Sequence, residues 1–337
     1  MASILPSISI LCVLILHLTS LTDGGGVGIN YGLLGNNLPS PPQVVNLLKS
    51  RNIKRIRIFS PDVNVLNALQ NSGIELIIGT FNQDIPNLAG DLNFAKSWVL
   101  SKIVPYQRTI KFRCISIGNE VIPGGYTNQV YPAIQHMNTA LQSLSLGYIP
   151  VTTTIALNSL ASSSPPSTGD FKGDVKAEMR KIASFLNYKS YPLLVNVYPY
   201  FAYASAPGSI SLPYVMFTSN DVVVRDGNLG YRNMFDAMVD AVYSALEKVN
   251  AGGVEVVITE SGWPSQGNGN ITTAQLAQTY NQNLVNHVRG SGTPRRPNKN
   301  VETYVFALFN ENRKEPGVEQ NFGVFYPNMN EVYHVNF

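Results

Sequence analysis

Two glutamates, Glu120 and Glu260, each come directly after an apolar run of strand length. They lie in the segments 117–121 (Ile-Gly-Asn-Glu-Val) and 258–265 (Ile-Thr-Glu-Ser-Gly-Trp-Pro-Ser). Two carboxyl groups that converge from separate strands suit acetal hydrolysis, because one protonates the leaving oxygen while the other attacks or stabilises the sugar cation. Either glutamate alone could equally be a solvated loop charge or a helix N-terminal residue. Their joint occurrence at equivalent positions favours glycosidic chemistry.

Three further apolar runs end in polar and aromatic residues that suit a sugar. These ends are 30–32 (Asn-Tyr-Gly), 196–200 (Asn-Val-Tyr-Pro-Tyr) and 309–312 (Phe-Asn-Glu-Asn). Aromatic rings match the flat apolar faces of β-linked glucose, while phenol hydroxyls and amides reach the sugar hydroxyls. If the strand ends meet in space, the sequence predicts a saccharide cleft around the two glutamates.

Eight apolar runs of strand length alternate with helical patterns along the chain. The predicted strands are 27–31, 55–59, 75–80, 112–118, 151–157, 193–198, 254–259 and 302–309. The predicted helices are 42–49, 63–71, 92–104, 131–144, 175–186, 234–249 and 273–288, the last with Thr272 and Gln275 as a capping box.

Near-continuous apolar strands that alternate with helices are typical of a closed parallel barrel. The chain has 337 residues, 44% of them hydrophobic, which is enough for one large core. We therefore predict an α/β fold with a single (β/α)8 TIM barrel over residues 26–337, whose site lies where the strands end. The alternative, an open doubly wound sheet, usually has a glycine-rich phosphate turn after its first strand, and 32–35 (Gly-Leu-Leu-Gly) does not match that fingerprint.

The two glutamate segments closely resemble the active-site motifs of plant family 17 glycoside hydrolases, the endo-β-1,3-glucanases. The resemblance runs along nearly the whole chain and includes 28–32, 34–39, 196–203 and 307–312. The eight-residue motif with the tryptophan is highly specific, whereas Gly-Asn-Glu is shared more widely among related barrel hydrolases. The resemblance implies a β-glucan polysaccharide as substrate and a retaining mechanism.

The resemblance also implies roles for individual residues. Glu120 would be the general acid/base and Glu260 the nucleophile, while Asn119 would contact the sugar at the point of cleavage. In a retaining enzyme the two carboxyl groups should lie about 5–5.5 Å apart, whereas a separation above about 6.5 Å would indicate inversion. Burial and the charge of Glu260 are expected to raise the pKa of Glu120 so that it begins protonated.

Five more residues are implied as substrate-binding or supporting groups. Tyr31 and Tyr198 would line the cleft. Glu311 and Lys314 would form a polar network near the acid. Phe171, which lies in a loop, would match a family aromatic in the subsite wall.

Two positions depart from the family pattern. The usual Tyr-Asp-Pro at the end of the second strand is Phe-Ser-Pro at 59–61, which would alter the polarity of a subsite. Asn30 replaces a cysteine that is common in some members. The extra C-terminal sugar-binding module of longer members is absent from this sequence.

Two other functions remain open from the sequence. One is a mixed-linkage β-1,3-1,4-glucanase, since the subsite loops decide linkage preference. The other is a non-hydrolytic glucan-binding protein on the same barrel, which loss of either glutamate would favour, although both are present. Attack on fungal walls and remodelling of the plant's own callose are both compatible with the family.

The N-terminal segment predicts export. An apolar run at 8–18, followed by small and polar residues at 19–26, is typical of a signal peptide and too short for a membrane span. A buried first strand or helix is the alternative for this run. We predict a signal peptide at 1–25 and a secreted protein in the extracellular space or cell wall, with the vacuole as the alternative. Cys114 would then be the one cysteine of the mature chain, an inert buried thiol with no internal disulfide.

Composition argues against several other partners. The net charge of +3 is small and dispersed, which does not suggest nucleic-acid binding. The four histidines show no ligand spacing, so we expect no metal and no cofactor. No later stretch is long and apolar enough for a membrane span, and we expect a monomer. The segment 270–272 (Asn-Ile-Thr) is a glycosylation sequon in an exported chain.

Overall fold

Eight parallel strands close into a barrel in the computed structural model, which describes residues 26–206, 208–290 and 292–337. We label the barrel strands β1 to β8 in chain order: Val27–Asn30, Arg55–Ile58, Glu75–Gly79, Lys111–Asn119, Val151–Ala156, Leu193–Asn196, Val256–Ser261 and Thr303–Val305. Each strand pairs in parallel with its neighbours in the chain, and β1 closes the ring on β8 with Val27 opposite Thr303. The predicted fold class is confirmed.

The predicted helices are all present, with ends that differ by a few residues. The helices of the described chain are Pro41–Ser50, Val63–Leu69, Ile85–Gly90, Leu92–Lys102, Thr127–Ser143, Gly173–Lys189, Pro199–Ser205, Leu212–Val215, Met234–Lys248 and Ala274–Val288. Side-chain caps begin several of them; Asp62, for example, accepts hydrogen bonds from the backbone N–H groups of Asn64 and Val65. The last helix is capped by Thr273, so the predicted cap at Thr272 is wrong by one residue.

Two short antiparallel hairpins lie in the connections that follow barrel strands β5 and β6. One pairs Leu160–Ser162 with Asp170–Phe171 after β5, and the other pairs Val224–Asp226 with Leu229–Tyr231 before the helix Met234–Lys248. The long connections that follow β5 and β6 therefore contain ordered structure of their own.

The inside of the barrel is stacked in layers because alternate residues of each strand point inward. At the amino-terminal end, partly buried charges form ion pairs: Arg55 pairs with Glu75, and Arg113 pairs with Glu302. Above them lies an apolar layer that consists of Ile77, Cys114, Leu194, Val257 and Tyr304. The polar residues of the carboxyl end form the third layer, which is the candidate site.

Two sequence predictions bear on the compartment. The predicted signal peptide at 1–25 lies outside the described residues. Cys114 is a free thiol in the apolar layer, where burial raises its pKa to about 12, as an inert thiol requires. None of the described helices combines the length and the apolar character that crossing a bilayer needs.

Candidate active site

A cleft of about 1010 Å³ lies at the carboxyl ends of the barrel strands. Its walls come from residues at or after every barrel strand except β3. The cleft brings together seven of the eight site residues that the sequence predicted: Tyr31, Asn119, Glu120, Tyr198, Glu260, Glu311 and Lys314. The strand-end pattern in the sequence therefore located the cleft correctly.

Glu260 lies within β7 and is 6% exposed. The register between β7 and β6 shifts between Ile258 and Glu260, which is the kind of irregularity that re-aims a side chain next to a site. Three donors hold its carboxylate: Arg57 at 2.6 Å and Asn196 at 2.8 Å on Oε1, and the Tyr198 hydroxyl at 2.7 Å on Oε2. Such a ring of donors stabilises the anion and fixes its orientation.

Glu120 follows the last residue of β4 and opens into the cleft. Its backbone has a φ of 54°, and Gly118 two residues earlier has a φ of 68°, so the strand ends in a sharp left-handed turn. Desolvation raises the pKa of the Glu120 carboxyl, and the charge of Glu260 raises it further, whereas the hydrogen bond from Asn196 and the charge of Arg57 act in the opposite direction. The net direction is upward, which favours the protonated form that a general acid needs.

Asn196 joins the two glutamates. Its Nδ2 donates to Glu120 Oε1 at 2.7 Å and to Glu260 Oε1 at 2.8 Å. Because both oxygens contact one nitrogen, they lie at most about 5.5 Å apart, which matches retaining glycosidases and is shorter than the ~6.5–9.5 Å of inverting ones. The sequence placed Asn196 at a strand end but did not indicate this bridging position.

Arg57 is the main residue of the site that the sequence analysis missed. It projects from β2 into the barrel, is 1% exposed, and donates to Asn119 Oδ1 at 2.6 Å as well as to Glu260. Its guanidinium carbon lies 4.5 Å from the centroid of the Phe59 ring. The sequence did contain an indication of this role. An arginine at an inward-facing position of an apolar strand is buried, and a buried charge needs a partner inside the barrel.

Phe59 occupies the position at which the family pattern has tyrosine. Its ring meets Phe306 edge to face at 6.4 Å, and Phe306 in turn meets Tyr198 at 6.0 Å. Phe59 therefore packs against Arg57 directly and is linked to Tyr198 only through Phe306. Ser60 lines the cleft in place of the family's aspartate.

Glu311 and Lys314 follow β8 and also line the cleft. Glu311 is 3% exposed, and its Oε1 accepts a hydrogen bond from the backbone N–H of Leu34 at 2.7 Å while its Oε2 lies 3.4 Å from Lys314 Nζ. Lys314 Nζ also lies 4.2 Å from the Phe306 ring centroid. Glu311 thus holds the loop after β1 in place, and Tyr31 at the start of that loop borders the cleft.

The prediction that Phe171 lines a subsite wall is wrong for this structure. Phe171 is 1% exposed and packs in the main hydrophobic core. It lies in the hairpin after β5, opposite Leu160, and it is not part of the cleft wall. The sequence could not reveal this, because the loop folds back on itself and turns the ring inward.

A third carboxylate, Glu319, also lines the cleft and was not indicated by any motif. Its charge makes a small additional contribution to the raised pKa of Glu120. Among the described residues, no group of three or more His, Cys, Asp or Glu side chains is placed to hold a metal ion. The site offers paired carboxyl groups beside amide, phenol and guanidinium donors.

Comparison with known proteins agrees with this arrangement. The family model described as "Glycosyl hydrolases family 17" matches residues 27–337, which include both glutamate segments. The basic isoform of glucan endo-1,3-beta-glucosidase from Phaseolus vulgaris is 46% identical over 92% of this chain and 90% of its own length. Lichenase-2 from Hordeum vulgare is 44% identical over 92% of this chain and 98% of its own length. The solved structure of a beta-1,3-glucanase and allergen of Cryptomeria japonica pollen is 45% identical, has a TM-score of 0.89, and matches 93% of this chain and 99% of that one.

Proposed function

The chain belongs to family 17 of the glycosyl hydrolases, and on that premise we propose that it cleaves internal β-1,3 linkages of glucan by a retaining double displacement. The observation that carries the proposal is the single amide nitrogen of Asn196 that contacts both Glu120 and Glu260. This shared contact supports a short distance between the two carboxyl groups. Such a distance leaves room for one anomeric carbon and its glycosidic oxygen, but no room for a water molecule between the sugar and the nucleophile.

In the first step, Glu120 donates its proton to the glycosidic oxygen while Glu260 attacks the anomeric carbon. The bond from carbon to the leaving oxygen breaks, and a glycosyl ester forms on Glu260. In the second step, the ionised Glu120 takes a proton from water, whose oxygen attacks the same carbon and releases Glu260. Each carboxyl group is back in its starting state at the end of the cycle.

The surrounding donors support this division of labour. Glu260 is already held by Arg57, Asn196 and Tyr198, so little reorganisation is needed before it attacks. The Oδ1 atom of Asn119 accepts from Arg57, and among the described residues no partner is recorded for its Nδ2. That nitrogen is therefore available to a sugar hydroxyl at the point of cleavage.

The shape of the cleft supports attack within a chain. Its lining residues follow strands on both sides of the ring, from Leu34 after β1 to Phe201 after β6. Leu34 and Phe201 both expose apolar surface there, as a glucan with flat ring faces requires. A groove that crosses the mouth of the barrel can hold a polymer that continues on either side of the scissile bond.

Replacement of each glutamate by alanine, with azide as a small external anion, tests the two roles. In Glu260→Ala, we expect azide to occupy the vacated space and attack from the side of the missing nucleophile, so that an aryl β-glucoside yields the α-glycosyl azide. In Glu120→Ala, the glycosyl ester still forms and azide replaces the activated water, so that the product is the β-glycosyl azide. The opposite pair of products would reverse the assignment, and full turnover without azide in Glu260→Ala would exclude the nucleophile role.

A second candidate, cleavage of mixed-linkage β-1,3-1,4-glucan, is favoured by the 44% identity to Lichenase-2. Incubation of the purified protein with laminarin and with mixed-linkage glucan, followed by sizing of the products, separates the candidates. We expect a ladder of short oligosaccharides from laminarin. Binding without any shortening of either polymer would instead identify the non-hydrolytic alternative.

We also propose that the protein acts outside the cytoplasm as a monomer, on fungal wall glucan or on callose. The apolar run at 8–18 supports export. Expression of the full chain with a C-terminal tag in plant cells, with separate recovery of the wall fluid, vacuole and cytosol, tests the compartment. Recovery from the cytosol alone, with residues 1–25 still attached, would contradict export.

A further inference from the structure

The loop 266–272, between β7 and the helix Ala274–Val288, contains the sequon 270–272 (Asn-Ile-Thr). Asn270 is exposed, and no hydrogen bond to its side chain is recorded among the described residues. Its neighbours are held firmly, because the backbone carbonyl of Ile271 accepts from Trp263 Nε1 at 2.8 Å and Thr272 Oγ1 accepts from the backbone N–H of Asn268 at 2.7 Å. The loop is therefore pinned on both sides of one outward-facing amide.

We propose that Asn270 is an N-linked glycosylation site of this protein. The donor is a lipid diphosphate-linked oligosaccharide of the secretory pathway, and the acceptor is Asn270 Nδ2. In the transfer, a bond forms from Nδ2 to the anomeric carbon of the terminal N-acetylglucosamine, and the bond from that carbon to the diphosphate oxygen breaks. The lipid diphosphate leaves with the electron pair, and the amide nitrogen loses one proton.

Thr272 serves this site twice. Before folding, its hydroxyl completes the sequon. After folding, Thr272 is buried and its Oγ1 lies 3.3 Å from the carbonyl oxygen of Gly269 as well as bonding Asn268, so the hydroxyl closes the turn that presents Asn270. Because the transferred sugar is attached to the exposed member of the sequon and not to the buried one, the glycan and the folded loop are compatible.

The position of the loop 266–272 determines where a glycan on Asn270 would lie relative to the cleft. Asn268 Nδ2 donates to the Tyr200 hydroxyl at 3.2 Å, and the Tyr200 ring lies 5.1 Å from the ring of Phe201, which lines the cleft. On this side of the loop, the rings of Tyr200 and Phe201 lie between Asn268 and the cleft. A glycan on Asn270 stands beside the cleft wall without contact to Glu120 or Glu260, so it covers the outside of this wall and leaves hydrolysis unaffected.

The occupancy test uses the full chain behind a yeast secretion leader, collected from the medium so that every molecule has passed through the secretory pathway. We expect intact-mass analysis to show one glycan, which an N-glycosidase removes with conversion of Asn270 to aspartate. Asn270→Gln should lack the glycan, and Thr272→Ser, which keeps a hydroxyl, should retain it. Secreted wild-type protein whose mass the glycosidase leaves unchanged would overturn the proposal.

A matched control tests whether a second sequon, at a position that is exposed after folding, is modified in this chain. Lys189→Thr creates a second sequon at the exposed Asn187, at the end of the helix Gly173–Lys189. We expect two glycans in this variant. One glycan at Asn187 with none at Asn270 would overturn the proposal, because it would show that position 270 itself is rejected.

The double role of Thr272 makes a separate prediction on thermal stability. For enzyme made in bacteria, which carries no such glycan, Thr272→Val removes the buried hydroxyl and should lower Tm by about 2–4 °C, while Asn270→Gln should leave Tm unchanged. Equal Tm values for the two variants would contradict the role in the loop. The rates of laminarin hydrolysis by the glycosylated enzyme and by the bacterial enzyme should agree within about twofold. Because the bacterial enzyme carries no glycan, its rate tests the proposed activity independently of the proposed glycosylation site.

Discussion

The guanidinium of Arg57 donates to the carboxylate of Glu260 across 2.6 Å, between side chains that are almost fully shielded from solvent. The two residues are 203 positions apart in the chain and come from β2 and β7, on different sides of the ring. Arg57 also donates to Asn119, which precedes Glu120 in the chain. A single planar guanidinium therefore positions both Asn119 and the carboxylate of Glu260. This geometry is the specific advantage of arginine over lysine.

We expect Arg57→Lys to lower kcat by about 10–100-fold, because an ammonium cannot hold Glu260 and Asn119 together and a small misplacement of reacting groups is costly. KM should change much less, since Arg57 is buried beneath the reacting groups. Steady-state kinetics on laminarin measure both constants. Arg55→Lys is the matched control: Arg55 lies on the same strand and pairs with Glu75 at the other end of the barrel, so kcat should stay unchanged. Equal losses in the two variants would mean that Arg57 supports the barrel and not the site.

The raised pKa of Glu120 should place the alkaline limb of the pH–activity profile above the ordinary range of a carboxyl group. The causes are desolvation and the charge of Glu260, and the second cause can be removed. In Glu260→Gln the nearby negative charge is gone, so we expect the pKa of Glu120 to fall. Titration of ¹³C-labelled glutamate carboxyl signals by NMR measures this shift. An unchanged pKa in Glu260→Gln would mean that desolvation alone sets it.

Phe171→Leu should lower the free energy of unfolding by about 1 kcal/mol, since the ring is buried and leucine fills most of its volume. Because Phe171 does not border the cleft, kcat and KM on laminarin should stay within about twofold. Phe201→Leu is the companion variant, since Phe201 does line the cleft and is 43% exposed. There we expect a raised KM with little change in stability. A raised KM in Phe171→Leu would restore the subsite role that the sequence suggested.

Asp240 should make stability depend on pH. It is 0% exposed on the helix Met234–Lys248, where it accepts hydrogen bonds from Thr293 and from the backbone of Arg295. Burial raises its pKa to about 6, above its value of about 3.9 in the unfolded chain. Between these values the folded protein binds the proton more tightly, so this group should lower the free energy of unfolding by up to about 3 kcal/mol as the pH rises from about 4 to about 6.

The variant Asp240→Asn isolates this contribution. Its amide cannot ionise, so the difference in unfolding free energy from the wild type should change with pH across that window and level off above it. Urea unfolding at pH 4, 5, 6 and 7 measures the difference. Asp221→Asn, which alters an exposed loop carboxylate, should show no such trend. A difference for Asp240→Asn that is the same at every pH would exclude the predicted linkage.

Local patterns in the sequence were sufficient to predict the barrel and the position of the cleft. The alternation of apolar strands with helices depends on residues that are near one another in the chain, and the parallel arrangement then brings all strand ends to one rim. Tyr31, Glu120, Tyr198 and Glu260 were located in this way. Their chemical roles stay predictions until the variants are measured.

The tertiary structure alone decided which side chains meet. Arg57 could be recognised as an unusual charge inside a strand, but its partners on β4 and β7 depend on the closure of the ring. Asn196 became the bridge between the two glutamates for the same reason. Phe171 was placed wrongly because the direction of a loop ring depends on what packs around it. Periodicity along one strand determines which face a residue occupies, whereas contacts between distant segments exist only once the apolar core has formed and the buried charges have found their partners.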